Sequence, residues 1–187
     1  MHVVTNHTDF ELVDLALRGD EKAFELLVKN HKNRVATTAM NMLADPEEAN
    51  EIGQQVFIQL YRSLKKFRKE ANLSTYITRI TINLCLNHLK RRQNFSSRSL
   101  ELNQANKIRS SENQADFESK ELITKALQKL DEKHRSIIVL RMVQGFDTLE
   151  TASILNLPKG TVLSRLKRGM EKLKIILETE FNYKHYE

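Results

Sequence analysis

Asn83 and Asn87 stand four residues apart in INLCLNHLKRR, a stretch that is otherwise apolar until Lys90, Arg91 and Arg92 follow. By residue type alone, two amides in such a stretch read first as side chains satisfied inside a core, although an amide also carries a donor and an acceptor side by side. Lysine and arginine beside such amides suit phosphate. A second group, Lys159, Thr161, Ser164, Arg165 and Arg168, falls in the segment KGTVLSRLKR. There arginine suits guanine, and the hydroxyls suit either a base or a phosphate. A third group, Glu48, Glu51, Gln55 and Gln59, repeats at steps of three and four. That makes a polar helical stripe, which periodicity alone reads equally as a solvated face or as a docking face for another protein.

None of these sets is catalytic. Asp131 and His134 are three apart, and Glu47, Glu48 and Glu51 lie together, but no second carboxylate–histidine helix accompanies them. The histidines are scattered, and neither HExxH nor a phosphate-binding glycine loop occurs. No metal, no cofactor and no enzymatic activity are therefore expected.

The elements that must position these residues are helical. Gly (5) and Pro (2) are scarce in 187 residues, which favours long helices and few turns over an all-β design. The net charge of +6 points to an anionic partner, most often nucleic acid. It is unevenly spread. From Arg62 to Arg92 nine basic residues, including Arg79, face a single acid, Glu70, and a second basic run lies at Lys159–Lys174. Cys85 is the single cysteine, so no intrachain disulfide forms, and its apolar surroundings predict a buried small side chain. No apolar run approaches the ~20 residues that span a bilayer, and no signal pattern opens the chain, so no membrane insertion and a cytoplasmic location are expected.

Phe10, Val13 and Leu17 share one helical face, and Gly19 offers a stop. Asp20 can cap a helix in which Phe24, Leu27, Val28, His31, Val35 and Met42 repeat; His31 reads as a satisfied, semi-buried side chain. Asp45–Pro46 breaks that helix and starts another, whose apolar face is Ile52, Val56, Phe57, Leu60 and Leu64. STYITRITI looks strand-like by propensity. At 3.6 residues per turn, however, Leu73, Ile77, Ile80 and Leu84 form one apolar row, and Arg79, Asn83, Asn87 and Lys90 share a single face. Residues 93–118, rich in Ser, Asn and Gln, read as a flexible linker. Order returns with the stripe Ile123, Ala126, Leu127 and Leu130 and a helix ending near Gly145.

After Gly145, Asp147 and Glu150 have capping-box spacing, a short helix spans 148–155, Asn156 suits the left-handed turn, and Pro158 opens a second helix. Ala152 precedes Asn156 by four residues and Val162 by ten, the spacing of a helix-turn-helix. Val162, Leu166, Met170 and Leu173 are expected to face inward. A plain helical hairpin with a basic surface fits less well, because cap, turn, spacing and charge agree. The expected fold is all-α: two small helical domains, 1–92 and 119–187, joined by the linker 93–118.

Residues 126–173 resemble region 4 of bacterial sigma factors of the extracytoplasmic-function type, in ALQKLDEKHRSIIVLRMVQGFDTLETASILNLPKGTVLSRLKRGMEKL. DPEEANEIGQQVFI at 45–58 is similar to the region 2 docking motif, STYITRITINLCLNHLKRR to the region that follows, and LRGDEKAFELLVKNH to the usual opening. The chain departs from the family at Tyr76, where Trp is usual, at Asn50, Glu51 and Gln55 in an acidic motif, and at Thr151, Leu163 and Asn87. These departures bear on promoter choice and docking strength, not on fold.

The resemblance implies a protein that binds RNA polymerase core, on the β′ clamp and the β flap, and directs it to promoter DNA. It implies that Glu48, Glu51, Gln55 and Gln59 dock on the clamp. It gives the −10 element, as a melted strand, to Lys69, Asn72, Ser74, Arg79, Asn83, Asn87, Lys90, Arg91 and Arg92. It gives the −35 duplex to Lys159, Thr161, Ser164, Arg165 and Arg168, and it implies an anti-sigma factor as a further partner. Elements ~17–20 base pairs apart lie ~60–70 Å apart at 3.4 Å per pair. A flexible chain of ~26 residues averages ~25–30 Å in span but extends to ~85 Å, so the linker suffices only when extended. An ordinary helix-turn-helix regulator, with residues 9–92 as a sensor or dimer module, is the alternative, and co-elution with core polymerase discriminates the two.

Overall fold

The structure, a computed structural model, describes residues 7–96 and 114–181, with side chains from 7–94 and 121–181. Among the described residues every regular element is helical. Helices α1 (Asp9–Leu17), α2 (Glu21–Leu43), α3 (Pro46–Ser63) and α4 (Leu73–Ser96) form the first bundle. Helices α5 (Gln114–Gln128), α6 (Glu132–Ile138), α7 (Thr148–Leu155) and α8 (Lys159–Glu180) form the second. α4 runs on through residues 93–96 and α5 opens at 114, so both ends of the expected linker are helical; residues 97–113 of it lie outside the described residues.

Local signals set the boundaries. Thr8 and Glu11 make a capping box for α1, and the Asp20 carboxylate accepts from Ala23 N–H at 3.2 Å to start α2. Asp45 caps α3 with Pro46 in its first turn, and Ala44 leaves α2 in the left-handed conformation at φ 55°. His31 is buried and bonds Asp9 at 2.9 Å, which ties α1 to α2. Phe10 and Leu17 are exposed; Leu12 and Val13 carry the buried face of α1. The helix expected to end near Gly145 ends as a π turn over Val139–Val143, and Gly145 follows at φ 75°.

In α4, the strand-like residues Thr75, Ile77, Thr78, Ile80, Thr81 and Ile82 are all buried. β-Branched residues each cost a few tenths of a kcal/mol in a helix. Burying one aliphatic side chain returns about 1.5–3 kcal/mol, so packing decides against propensity. Thr81 spends its hydroxyl on the Ile77 carbonyl at 3.0 Å. Cys85 is fully buried, and burial pushes its thiol up to about 12.

The second bundle is built on close contact between α6 and α8. A side-chain carbon on Gly169 would meet Ile138 Cδ1 at 3.1 Å and His134 Cβ at 3.2 Å, so glycine is what lets these helices approach. Met170, expected to face inward, is exposed instead: the buried row of α8 steps Val162, Gly169, Leu173. Asp131 and His134, weighed above as metal ligands, are a helix cap. Asp131 accepts from His134 N–H at 3.1 Å and from Lys172 Nζ at 3.2 Å. Burial's upward push on Asp131 is outweighed by His134 and Lys172, which bring it down to about 2.

The two bundles touch. α2 packs on α1, α3 and α4 and also on α5, α6 and the π turn, while α4 meets α7. Arg135, buried at 6% exposure, lies at the centre of this junction. It donates to the carbonyls of Leu127, Gln128 and Leu130, to the Gln128 side chain, and to the Met42 carbonyl at 2.6 Å. Burial lowers its pKa, the Glu132 carboxylate opposes that shift, and the carbonyl oxygens satisfy the guanidinium's N–H groups. No helix among the described residues is long and apolar enough to cross a membrane.

Candidate nucleic-acid interface

The polar row of α4 exists as a surface. Asn83, Asn87, Lys90 and Arg91 are exposed, and Arg79 is half-buried one turn earlier. The apolar rows on either side are what turn it outward: Ile80, Ile82, Cys85 and Leu89 are buried against α2 and α3. At the N-terminal end of α4, the Asn72 carbonyl accepts from Thr75 and Tyr76 N–H at 3.0 and 3.2 Å, leaving the Asn72 side chain exposed; Ser74 is half-buried. Lys69 sits in the left-handed region at φ 58°. Its ammonium lies 2.6 Å from Asp14 and 6.0 Å from the centre of the Phe10 ring.

Three of these cations are already engaged. Lys69 pairs with Asp14. Arg79 donates to Ser153 of α7, to its carbonyl at 2.7 Å and its hydroxyl at 2.8 Å. Arg92 lies 3.2 Å from Glu48 of α3, whose other oxygen is 3.1 Å from His88. Glu48 therefore joins the stripe on α3 to the basic end of α4. Along that stripe Glu51 accepts from Gln55 at 2.9 Å, and Gln59 is exposed. Exposed Ile58 and Tyr61 continue the same helix, adding apolar area that the polar periodicity did not single out.

The second bundle places α7 and α8 as a helix-turn-helix. The Asp147 carboxylate accepts from Leu149 and Glu150 N–H, Glu150 accepts from Asp147 N–H at 2.8 Å, and Asn156 turns the chain at φ 51°. Thr151, one residue before the small Ala152, is the fully buried one, with its hydroxyl on the Asp147 carbonyl at 2.7 Å. On α8, Lys159, Ser164 and Arg168 are exposed, and Thr161 and Arg165 are half-buried. Ser164 donates to the Thr161 carbonyl at 3.1 Å, within the helix. This set is clear of the first bundle's partners, and the structure does not bring it together with the α4 row. Arg135 escaped sequence reasoning; its one signal is an arginine on the buried side of the apolar helix RSIIVL.

Comparison with known proteins finds two regions of one family in the same order along the chain. The family model for Sigma-70 region 2 matches residues 27–95. That for Sigma-70 region 4 matches residues 120–173. The RNA polymerase sigma-H factor of Pseudomonas aeruginosa is 29% identical, covering 94% of this chain and 97% of that protein. The ECF RNA polymerase sigma factor SigW of Bacillus subtilis is 27% identical over 84% of this chain and 90% of its own length. The ECF sigma-E factor of Escherichia coli K12 is 29% identical over 89% and 92%. Among solved structures, CnrH in complex with the cytosolic domain of CnrY superposes with a TM-score of 0.71 at 23% identity, covering 92% of this chain and 98% of that one. RpoE in complex with the anti-sigma factor NepR, from Bartonella quintana, gives 0.72 at 19%, covering 85% and 99%. These two likenesses bear on fold alone. With both regions matched in order and relatives aligned along nearly their whole length, the chain belongs to the sigma-70 family and is a transcription-initiation sigma factor of the extracytoplasmic-function type.

Proposed function

We propose that residues 1–92 dock on core polymerase and read an opened −10 strand, and that residues 119–187 read a −35 duplex. The observation that carries this reading is the exposed row Asn83, Asn87, Lys90 and Arg91 on α4. Opening a base pair loses ~1.4 kcal/mol of stacking per step. A protein recovers that by holding the unstacked base, and an amide pairs with its free edge. Lys69, Asn72, Ser74, Arg79, Lys90, Arg91 and Arg92 supply phosphate and sugar contacts around it.

On α8 the N-terminal turns enter the major groove, where Arg165 reads guanine and Lys159, Thr161, Ser164 and Arg168 contact bases or phosphates. Glu48, Glu51, Gln55 and Gln59 dock on the β′ clamp, and the second bundle meets the β flap. The protein promotes no bond-making step of its own; polymerase supplies the chemistry. An anti-sigma factor is a further partner, since two solved structures of this fold are complexes with CnrY and with the anti-sigma factor NepR.

The test is transcription in vitro with core polymerase on genomic fragments, with start sites mapped. Asn83→Ala is expected to relax the −10 choice and Arg165→Ala to weaken use of the −35 element, by about 1–3 kcal/mol of discrimination. Identical promoter profiles for both variants reject the residue assignments. Failure of the wild type to co-elute with core or to initiate rejects the polymerase role.

A further inference from the structure

Leu163 lies in the first turns of α8 and has no part in the contacts assigned above. Its neighbour Val162 is fully buried, while Leu163 itself is 48% exposed. A lone exposed leucine is ordinary on a protein surface. The surroundings of this one are not. Gly160 precedes it by three residues, on the adjoining part of the helix surface, and a side-chain carbon there would meet nothing within 4 Å. Leucine is thus approachable from the N-terminal side. Lys159 and Lys167, one turn before it and one turn after, are exposed, as is Ser164 beside it. Neither lysine side chain makes an ion pair or hydrogen bond among the described residues. Pro158 supplies no side-chain cap, so the first N–H groups of α8 are open as well. An apolar side chain framed by cations and open donors fits a polyanion that carries an apolar group on its surface. In the major groove one base edge does so, the C5-methyl of thymine.

We propose that Leu163 is a specificity-determining residue that packs on the methyl group of one thymine and so selects a T·A pair within the −35 element. The proposal rests on the assignment of α8 to duplex DNA. Leucine offers neither donor nor acceptor, so it discriminates in two ways. It gains the burial of a methyl group at thymine. At any other base it covers an amino group or an acceptor that then loses water and finds no partner. Met170, seven residues on, is also exposed and extends the apolar surface along α8. That makes a protein contact, polymerase in place of DNA, the rival occupant. The exposed lysines on both sides of Leu163 favour DNA.

The experiment combines the full chain with core polymerase and offers promoter fragments randomised over the −35 element; bound fragments are sequenced. The wild type is expected to return an element with one fixed T·A pair. Leu163→Ala is expected to relax that position alone, and Leu163→Lys to turn it towards guanine, which lysine suits. Each thymine of the selected element is then replaced by uracil, which removes only the methyl. One replacement is expected to weaken wild-type binding about fourfold, the worth of one buried methyl, and to leave Leu163→Ala unchanged. An element in which no uracil matters, or an equal loss in Leu163→Ala, overturns the proposal and leaves −35 reading intact. Weaker binding of Leu163→Ala to core, with base preference unchanged, makes Leu163 a polymerase contact and overturns it too. A wild type that returns no −35 element removes the duplex assignment, and the proposal with it.

Discussion

The two candidate DNA readers differ in how much of each is already spoken for. On α8, the side chains of Arg165 and Arg168 make no ion pair or hydrogen bond among the described residues. On the first bundle, Lys69, Arg79 and Arg92 are held by Asp14, Ser153 and Glu48. A free cation contributes to DNA binding at first encounter. An engaged one must give up its partner first, so its contribution is conditional on a change in the molecule. On the proposed assignments, the duplex reader is ready in the free chain and the strand reader waits.

The largest effect expected lies where the two readers join. Arg135→Ala leaves carbonyls of Leu127, Gln128, Leu130 and Met42 without their donor in a buried site. It is expected to cost about 3 kcal/mol or more in chemical denaturation. A loss below about 1 kcal/mol would mean the junction is not the keystone drawn here. Next is a direct contrast between readers. Arg168→Ala in the free chain is expected to weaken duplex binding and lower its salt slope by about 0.9, the value for one phosphate. Arg79→Ala in the same assay is expected to leave the slope unchanged, and an equal drop for both would erase the distinction.

The readers also differ in how they were legible. The helix-turn-helix is written locally: Asp147, Glu150, Asn156 and Pro158 each do in the structure what their type and spacing imply. The α4 row is not. Its residues look like a strand, and only the burial of Thr75, Ile77, Ile80 and Ile82 by distant helices makes them a helix. The 3.6-residue rows gave the correct face because burial imposes that period. Met170 is exposed where periodicity points it inward, because Gly169, which carries no hydropathy signal, is what faces α6. The engagement of Arg79 and the tie from Arg135 to Met42 lie beyond sequence, since each joins residues more than 70 positions apart.

Smaller effects probe the local reader. Asp147→Ala removes a capping box and is expected to cost about 1 kcal/mol in thermal unfolding. Gly160, with open space around it, should gain about 0.5 kcal/mol as Ala, whereas Gly169→Val is expected to lose 1–3 kcal/mol by crowding Ile138 and His134. The smallest effect concerns acid. Asp131 is lowered from 3.8 to about 2, so its contribution is complete above about pH 4 and is lost as pH falls towards 2. Asp131→Asn should flatten an acid-unfolding curve within that window and leave stability above it uniformly lower.

In the free chain the two bundles touch through Arg79–Ser153 and Arg135–Met42, and the proposed readers must part to reach promoter elements ~60 Å apart. The most direct measurement is the distance between spin labels at Lys32→Cys and Lys174→Cys, first in the free chain and then after core polymerase is added. A single short distance that lengthens by tens of ångströms, as ~60 Å between promoter elements requires, is the predicted result. A distance that polymerase leaves unchanged would contradict it.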